Sequence, residues 1–159
     1  MTNLLPHDNH FLSRVLALAE QSRREGHHPF AALVVNAQGE VIAEAMNASS
    51  SDRTAHAEMN ALRIVSSGYS PAQLAAATLY SSAEPCAMCA GGIYWSGIGR
   101  VVYALAEASL LELTGNDPDN PTLSLPCREV FARGQRPVEV IGPRREEEAR
   151  RAHLGFWKK

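Results

Sequence analysis

Lysine is nearly missing from this chain, and its two copies, Lys158 and Lys159, are the last two residues. Fifteen basic residues stand against seventeen acidic ones, a formal net charge of −2. The overall basic excess that marks most nucleic-acid binders is therefore absent. Locally, the tail from Pro143 to Lys159 gathers Arg144, Arg145, Arg150 and Arg151 beside Glu146, Glu147 and Glu148, which reads as a solvated helix with Glu146–Arg150 and Glu147–Arg151 pairs. Cysteine is scarce as well. Cys86, Cys89 and Cys127 make an odd count without a framework of spacings, which argues against a secreted disulfide scaffold and for metal or redox chemistry. No apolar run approaches the roughly 20 residues that cross a bilayer. The start, MTNLLPHDNHFLSRV, has no basic segment followed by an apolar block and a cleavage site, so a cytoplasmic location is expected. With 159 residues, 45% hydrophobic and 20% charged, the chain reads as one domain over 1–159 burying roughly two-thirds of its unfolded surface.

Neither internal repeats nor a low-complexity linker interrupts the chain. Between His10 and Glu25, Phe11, Val15, Leu18 and Ala19 recur at helical spacing, and Gly26 provides a stop. FAALVVN (30–36) and EVIAEAM (40–46) flank a turn at Ala37-Gln38-Gly39 and predict a hairpin, the first strand too continuously apolar for an exposed face. A polar loop leads to a helix over 55–67. TLYSS (78–82) predicts a strand, and Pro85 suits the first turn of the helix that follows. Further on, RVVYAL (100–105) and Val138 to Ile141 predict strands, with helices over 107–113, 128–132 and 144–154 and an irregular stretch at GNDPDNPTLSLP. Strands alternating with helices favour an α/β fold whose mixed sheet is covered on both faces.

Two segments carry chemistry. In TAHAEMNAL, His56 and Glu58 stand two residues apart at a helix start; alone, that pattern describes a polar helix beginning. In SSAEPCAMCAGGIYW, Cys86 and Cys89 stand three apart after Pro85, so one helical turn can aim both sulfurs at a single ion. One imidazole and two thiolates make the three-ligand set of a zinc centre that leaves its fourth position to water. A closed structural site would need Cys127 or a distant histidine. Glu58, on another side of the helix start from His56, is placed to take a proton from that water and pass it to a substrate. His27 and His28 read as solvated loop residues, His153 as surface, and Cys127 as a small semi-buried side chain.

The pairing of HAE with PCAMC resembles the cytidine-deaminase-like zinc hydrolases. Together with HPFAALVV and TLYSSAEPCAMCAGGIYWSGIGRVVY it is similar, over the first two-thirds of the chain, to bacterial guanine deaminases, nucleoside deaminases and tRNA adenosine deaminases. The resemblance implies a three-layer α-β-α sandwich on a mixed five-stranded sheet. It also implies one Zn2+ per subunit on His56, Cys86 and Cys89, Glu58 as the catalytic proton shuttle, and a homodimer. For the substrate it implies Asn47, the backbone N–H of Ala57, the carbonyl of Glu84, and the rings of Phe30 and Trp95. In bacterial guanine deaminases an aromatic tail reaches into the partner's site; Phe156 and Trp157 loosely match it, although the terminal tyrosine is missing. The family's acidic segment after Leu105 is also missing, with Asp117 and Asp119 as candidate substitutes. The implied activity is hydrolytic release of ammonia from a free nucleobase or nucleoside, with guanine or a related aminopurine first. tRNA adenosine, and cytosine or another aminated heterocycle, are the alternative substrates, and a non-enzymatic zinc module is the alternative of a different class.

Overall fold

The structure, a computed structural model, describes residues 4–157; Lys158 and Lys159 lie outside the described residues. Helix α1, Asp8–Arg24, buries Phe11, Leu12, Val15, Leu16, Leu18 and Ala19 along the face that the sequence pattern marks. Strands β1, Ala31–Val35, and β2, Val41–Met46, form the hairpin. Helix α2 spans Ala57–Val65 and a short α3 spans Pro71–Ala75. Then come β3, Thr78–Ala83, helix α4, Ala87–Ser96, and β4, Arg100–Leu105. After them lie α5, Glu107–Thr114, α6, Cys127–Ala132, β5, Glu139–Ile141, and α7, Glu146–Arg150.

The five strands lie in the order β2-β1-β3-β4-β5. Strand β1 runs antiparallel to both its neighbours, whereas β3, β4 and β5 run parallel to one another. Every residue of β1 is buried, because the strand pairs on both edges and is covered on both faces; this is why its sequence does not alternate. Ala31, Leu33 and Val35 point into one core with Phe11, Leu12 and Val15 of α1. Ala32 and Val34 point into the other, with Ala61 and Leu62 of α2 and Ile93 of α4. Two cores on opposite faces of one sheet make the three layers that the resemblance implies. Among the described residues, no helix is long and apolar enough to cross a membrane.

Three local expectations are corrected. Helix α3 is not in the sequence reading, although Ser70-x-x-Gln73 with Pro71 forms a capping box: Ser70 Oγ accepts from Gln73 N–H and Gln73 Oε1 from Ser70 N–H. Pro85 precedes the cap of α4 rather than sitting in its first turn; Cys86 is the N-cap. Helix α7 ends at Arg150, so the expected ion pairs give way to others. Arg145 pairs with Glu148, Arg150 reaches Glu112 at 3.4 Å, and Glu146 Oε2 accepts the N–H of Ala106 at 3.1 Å.

A buried ionic knot ties α1 to the sheet. Arg100 Nη1 and Nη2 donate to the two carboxylate oxygens of Asp8 at 2.8 and 2.7 Å, and the Tyr80 O–H donates at 2.6 Å. Asp8 is fully buried. Burial opposes its charge, but Arg100, Tyr80 and the Leu5 N–H outweigh burial and hold the carboxyl below its ordinary value.

Candidate active site

The parallel strands β3 and β4 end side by side, and the site opens beyond their carboxyl ends, where ligands collect in open α/β sheets. Two helices begin there. His56 is the N-cap of α2 and Cys86 the N-cap of α4, with Cys89 on the first turn of α4. The two helices approach closely at Gly92, where an added Cβ would fall 2.6 Å from Met59 Sδ and 3.1 Å from Leu62 Cδ1. That approach brings imidazole and thiols together.

His56 Nδ1 lies 3.5 Å from Cys86 Sγ and 3.6 Å from Cys89 Sγ, and all three donor atoms fall within 4.8 Å of one another. A tetrahedral zinc with Zn–S of about 2.3 Å and Zn–N of about 2.0 Å requires an N to S separation of roughly 3.5 Å. The donor set therefore fits zinc in kind and in spacing. Hydrogen bonding from Cys89, and then from His56, pulls the Cys86 thiol down to about 4, despite burial. Cys89 is pushed upward by Cys86 and by burial, so the pair without metal favours one negative charge. A cation displaces the remaining proton. Glu58 is buried beside them, and burial, then the charge of Cys86, raises it to about 7; a bound cation pulls in the opposite direction.

A cavity of about 780 Å³ stands over these groups, within the range of small-molecule sites. His56, Glu58, Cys86, Glu84, Asn47 and Phe30 line it. Asn47 is buried, and its Oδ1 accepts from both the N–H and the hydroxyl of Ser49, at 2.9 and 2.8 Å. The Nδ2 donors are the end of the amide left for a ligand. Ala57 is the first residue of α2, where a backbone N–H has no partner inside the helix. The Glu84 carboxylate is committed to two backbone N–H groups, those of Glu107 and Cys127.

Trp95 is not at the cavity. It is 85% exposed and packs edge-on against Tyr94. Six residues beyond Cys89 on a helix is a turn of about 240°, which carries its ring away from the metal ligands. His28, in contrast, lines the cavity. So do Glu107, Leu110, Asp119 and Thr122, which follow the carboxyl end of β4. Their place after a parallel strand next to the Cys86 loop is the signal that would have found them. Of the two candidate aspartates, Asp119 reaches the cavity; Asp117 is buried, and its Oδ1 accepts the Asp119 N–H. Burial, followed by the charges of Cys86, Glu84 and Glu58, pushes Glu107 up to about 8.

The tail docks on its own chain. Trp157 lies 6.0 Å from the ring of Phe30 and 4.9 Å from His28, and Phe156 lies 5.7 Å from His28. In this chain the tail stands behind His28 and Phe30, two residues of the chain's own cavity wall. Arg23 holds it by donating to the carbonyls of Ala152 and Leu154, and its guanidinium sits over Phe156. His153, expected at the surface, is 2% exposed, and its Nδ1 accepts the Trp157 indole N–H at 3.0 Å. Burial, helped by the Arg23 charge, lowers this imidazole to about 4. Because the docked value lies below the ordinary 6.5, the released tail binds the extra proton. Docking is complete above pH 6.5 and weakens as pH falls towards 4, by up to about 3 kcal/mol. In a Trp95→Phe background the fluorescence of Trp157 is expected to report this release, and a signal unchanged from pH 7 to 4.5 would contradict it.

The sheet, the helix-start imidazole and the thiol pair define a zinc hydrolase centre. The chain belongs to the cytidine and deoxycytidylate deaminase family, whose zinc-binding region matches residues 5–105, and it is a zinc-dependent deaminase. A probable cytosine deaminase of Schizosaccharomyces pombe is 38% identical over 157 residues, covering 98% of this chain and 96% of that protein. A guanine deaminase of Bacillus subtilis is 40% identical over 110 residues, covering 67% of this chain and 70% of the relative. Among solved structures, a guanine deaminase from Nitrosomonas europaea has a TM-score of 0.72 at 28% identity, covering 94% of this chain and 84% of that one. A structure from work on tRNA:A34 deaminases has a TM-score of 0.69 at 26% identity, covering 91% and 99%.

Proposed function

We propose that this protein hydrolytically deaminates a free nucleobase, guanine or a related aminopurine first. The observation that carries the reading is the make-up of the cavity. Beyond the metal donors its lining has the carboxyl groups of Glu58, Glu107 and Asp119 and a single arginine, Arg53, while the Glu84 carboxylate is committed to backbone N–H groups. With Glu58 and Glu107 lifted towards neutrality, such a lining suits a neutral ring and gives a phosphate backbone one cation to pair with. Carboxylates also match the N–H and amino donors of a guanine edge, while the Asn47 Nδ2 donors suit a ring nitrogen or carbonyl acceptor. Phe30 offers a flat wall for the ring.

When bound, zinc supplies Lewis acidity, lowering the pKa of a water from 15.7 towards roughly 7 to 9. Glu58 takes the proton that the attacking water loses, delivers it to the ring nitrogen and then carries another to the departing amine. The first-turn N–H of Ala57 and the carbonyl of Glu84 hold the base in register. A homodimer belongs to the same reading, supported by the apolar surface that Trp95 leaves exposed on α4.

Cytosine is the second reading, supported by likeness to the yeast protein across the tail as well as the motifs. Ammonia release should be measured on guanine, guanosine, adenine, cytosine and a tRNA anticodon stem-loop at two salt concentrations. Guanine or another aminopurine is expected to give the highest kcat/KM, with little salt dependence. Cytosine in that place would select the second reading. Turnover confined to the stem-loop, falling steeply with salt, would overturn both.

A further inference from the structure

Glu84 follows β3 and stands two residues before Cys86, yet its carboxylate is turned to the starts of α5 and α6, where the Cys127 thiol also reaches it. Its Oε1 accepts the N–H of Glu107 at 3.0 Å, and its Oε2 accepts the N–H of Cys127 at 2.8 Å. These are the first residues of α5 and α6, where a backbone N–H lacks an intrahelical partner. One carboxylate thus clasps both ends of the segment 107–126, which supplies Glu107, Leu110, Asp119, Thr122 and Leu123 to the cavity. The backbone of Glu84 is itself fixed, because its N–H donates to the Leu105 carbonyl at 2.7 Å and prolongs the β3 to β4 pairing.

Within the segment the hydrogen bonds close locally. Asp117 N–H reaches the Thr114 carbonyl, Asn120 N–H the Asp117 carbonyl, and Thr114 and Thr122 share a hydroxyl contact at 3.5 Å. They shape the wall. Glu84 joins it to the loop of the metal donors. Its ends have other anchors that keep the fold: Arg128 bonds Tyr103 and the carbonyls of Val140 and Gly142, while Leu110 is buried in the core.

We propose that Glu84 is a positioning residue: by clasping the N–H groups of Glu107 and Cys127 it sets the distance between the substrate wall 107–126 and the metal-donor loop, and so governs how tightly the base is held. The inference rests on the deaminase reading for its substrate, whereas the clasp itself is independent of which base is used.

Two variants separate this role from simple destabilisation. Glu84→Gln keeps one acceptor and places an amide N–H2 against the second donor. Cys127→Pro deletes the backbone donor together with the thiol that also reaches Glu84, and leaves Glu84 itself intact; proline is at home at a helix's first position, and Pro126 before it already has φ −58° and ψ 138°, the extended geometry that a following proline demands. Each variant is expected to hold zinc at one per chain, to raise KM for the best base by about tenfold, and to change kcat by less than about threefold, on the order of one lost bond to a charged acceptor. Together they should raise KM less than the product of the two effects, because both break the same joint. Amide exchange should quicken across 107–126 and stay unchanged across α4.

An unaltered KM and unaltered exchange in the Cys127→Pro protein would overturn the proposal. So would loss of zinc or a collapse of kcat at constant KM in Glu84→Gln, which would place Glu84 in the metal centre instead. If no base is turned over, the functional reading fails, and the exchange of 107–126 still decides whether the clasp exists.

Discussion

Glu58→Gln is expected to bind zinc at one equivalent per chain and to lose about 10²- to 10⁴-fold in kcat on the best base. The amide fills the same space at the floor of the cavity, so the donors His56, Cys86 and Cys89 keep their places. What disappears is a group that can change protonation. Without metal, burial and the Cys86 charge lift Glu58 to about 7, and a bound cation pulls it back down, which leaves a carboxyl that can both accept and donate. Metal analysis beside a steady-state ammonia assay checks the result. A variant that keeps most of its turnover would remove Glu58 from the proton path.

The second large effect falls far from the cavity. Asp8→Asn leaves the Arg100 guanidinium, which is 8% exposed, without its buried counter-ion. Removing one partner of such a pair costs about 3 to 5 kcal/mol. Glu139, 3.6 Å from Arg100 Nε and partly in solvent, offsets a little, so the lower end is expected. For a chain of this size that is a fall in Tm of roughly 10 °C, readable by thermal denaturation. The knot also has a pH signature. Since the folded Asp8 lies below its ordinary 3.8, its contribution is present above that pH and is lost as pH falls through the folded value. A Tm unchanged by Asp8→Asn would mean that the guanidinium finds water.

The metal donors were legible because their information is local: Cys86 and Cys89 lie on one helical turn, and His56 and Glu58 on one helix start. The hairpin, α1 and β4 were legible for the same reason, their apolar spacing being set by their own burial. What escaped depends on distant packing. His28 and His153 read as solvated, and only the return of the chain after α7 puts Phe156 and Trp157 against one and buries the other. Glu107 is an ordinary acidic helix start until Cys86, Glu84 and Glu58 are seen around it. Trp95 followed a resemblance between motifs, which does not take account of where 240° of helix sends a ring. The extent of the last helix was overestimated because its charges permit more turns than form: Arg145, at a φ of 55°, caps it, and after Arg150 the chain runs on in turns.

At position 92 the two ligand-bearing helices meet across a single hydrogen atom. A side chain there would press first on the Met59 thioether and a Leu62 methyl, and where those could not swing aside it would act as a wedge between the helices that carry the imidazole and the sulfurs. The spacing of the donors thus draws on a residue that offers the ion no atom at all.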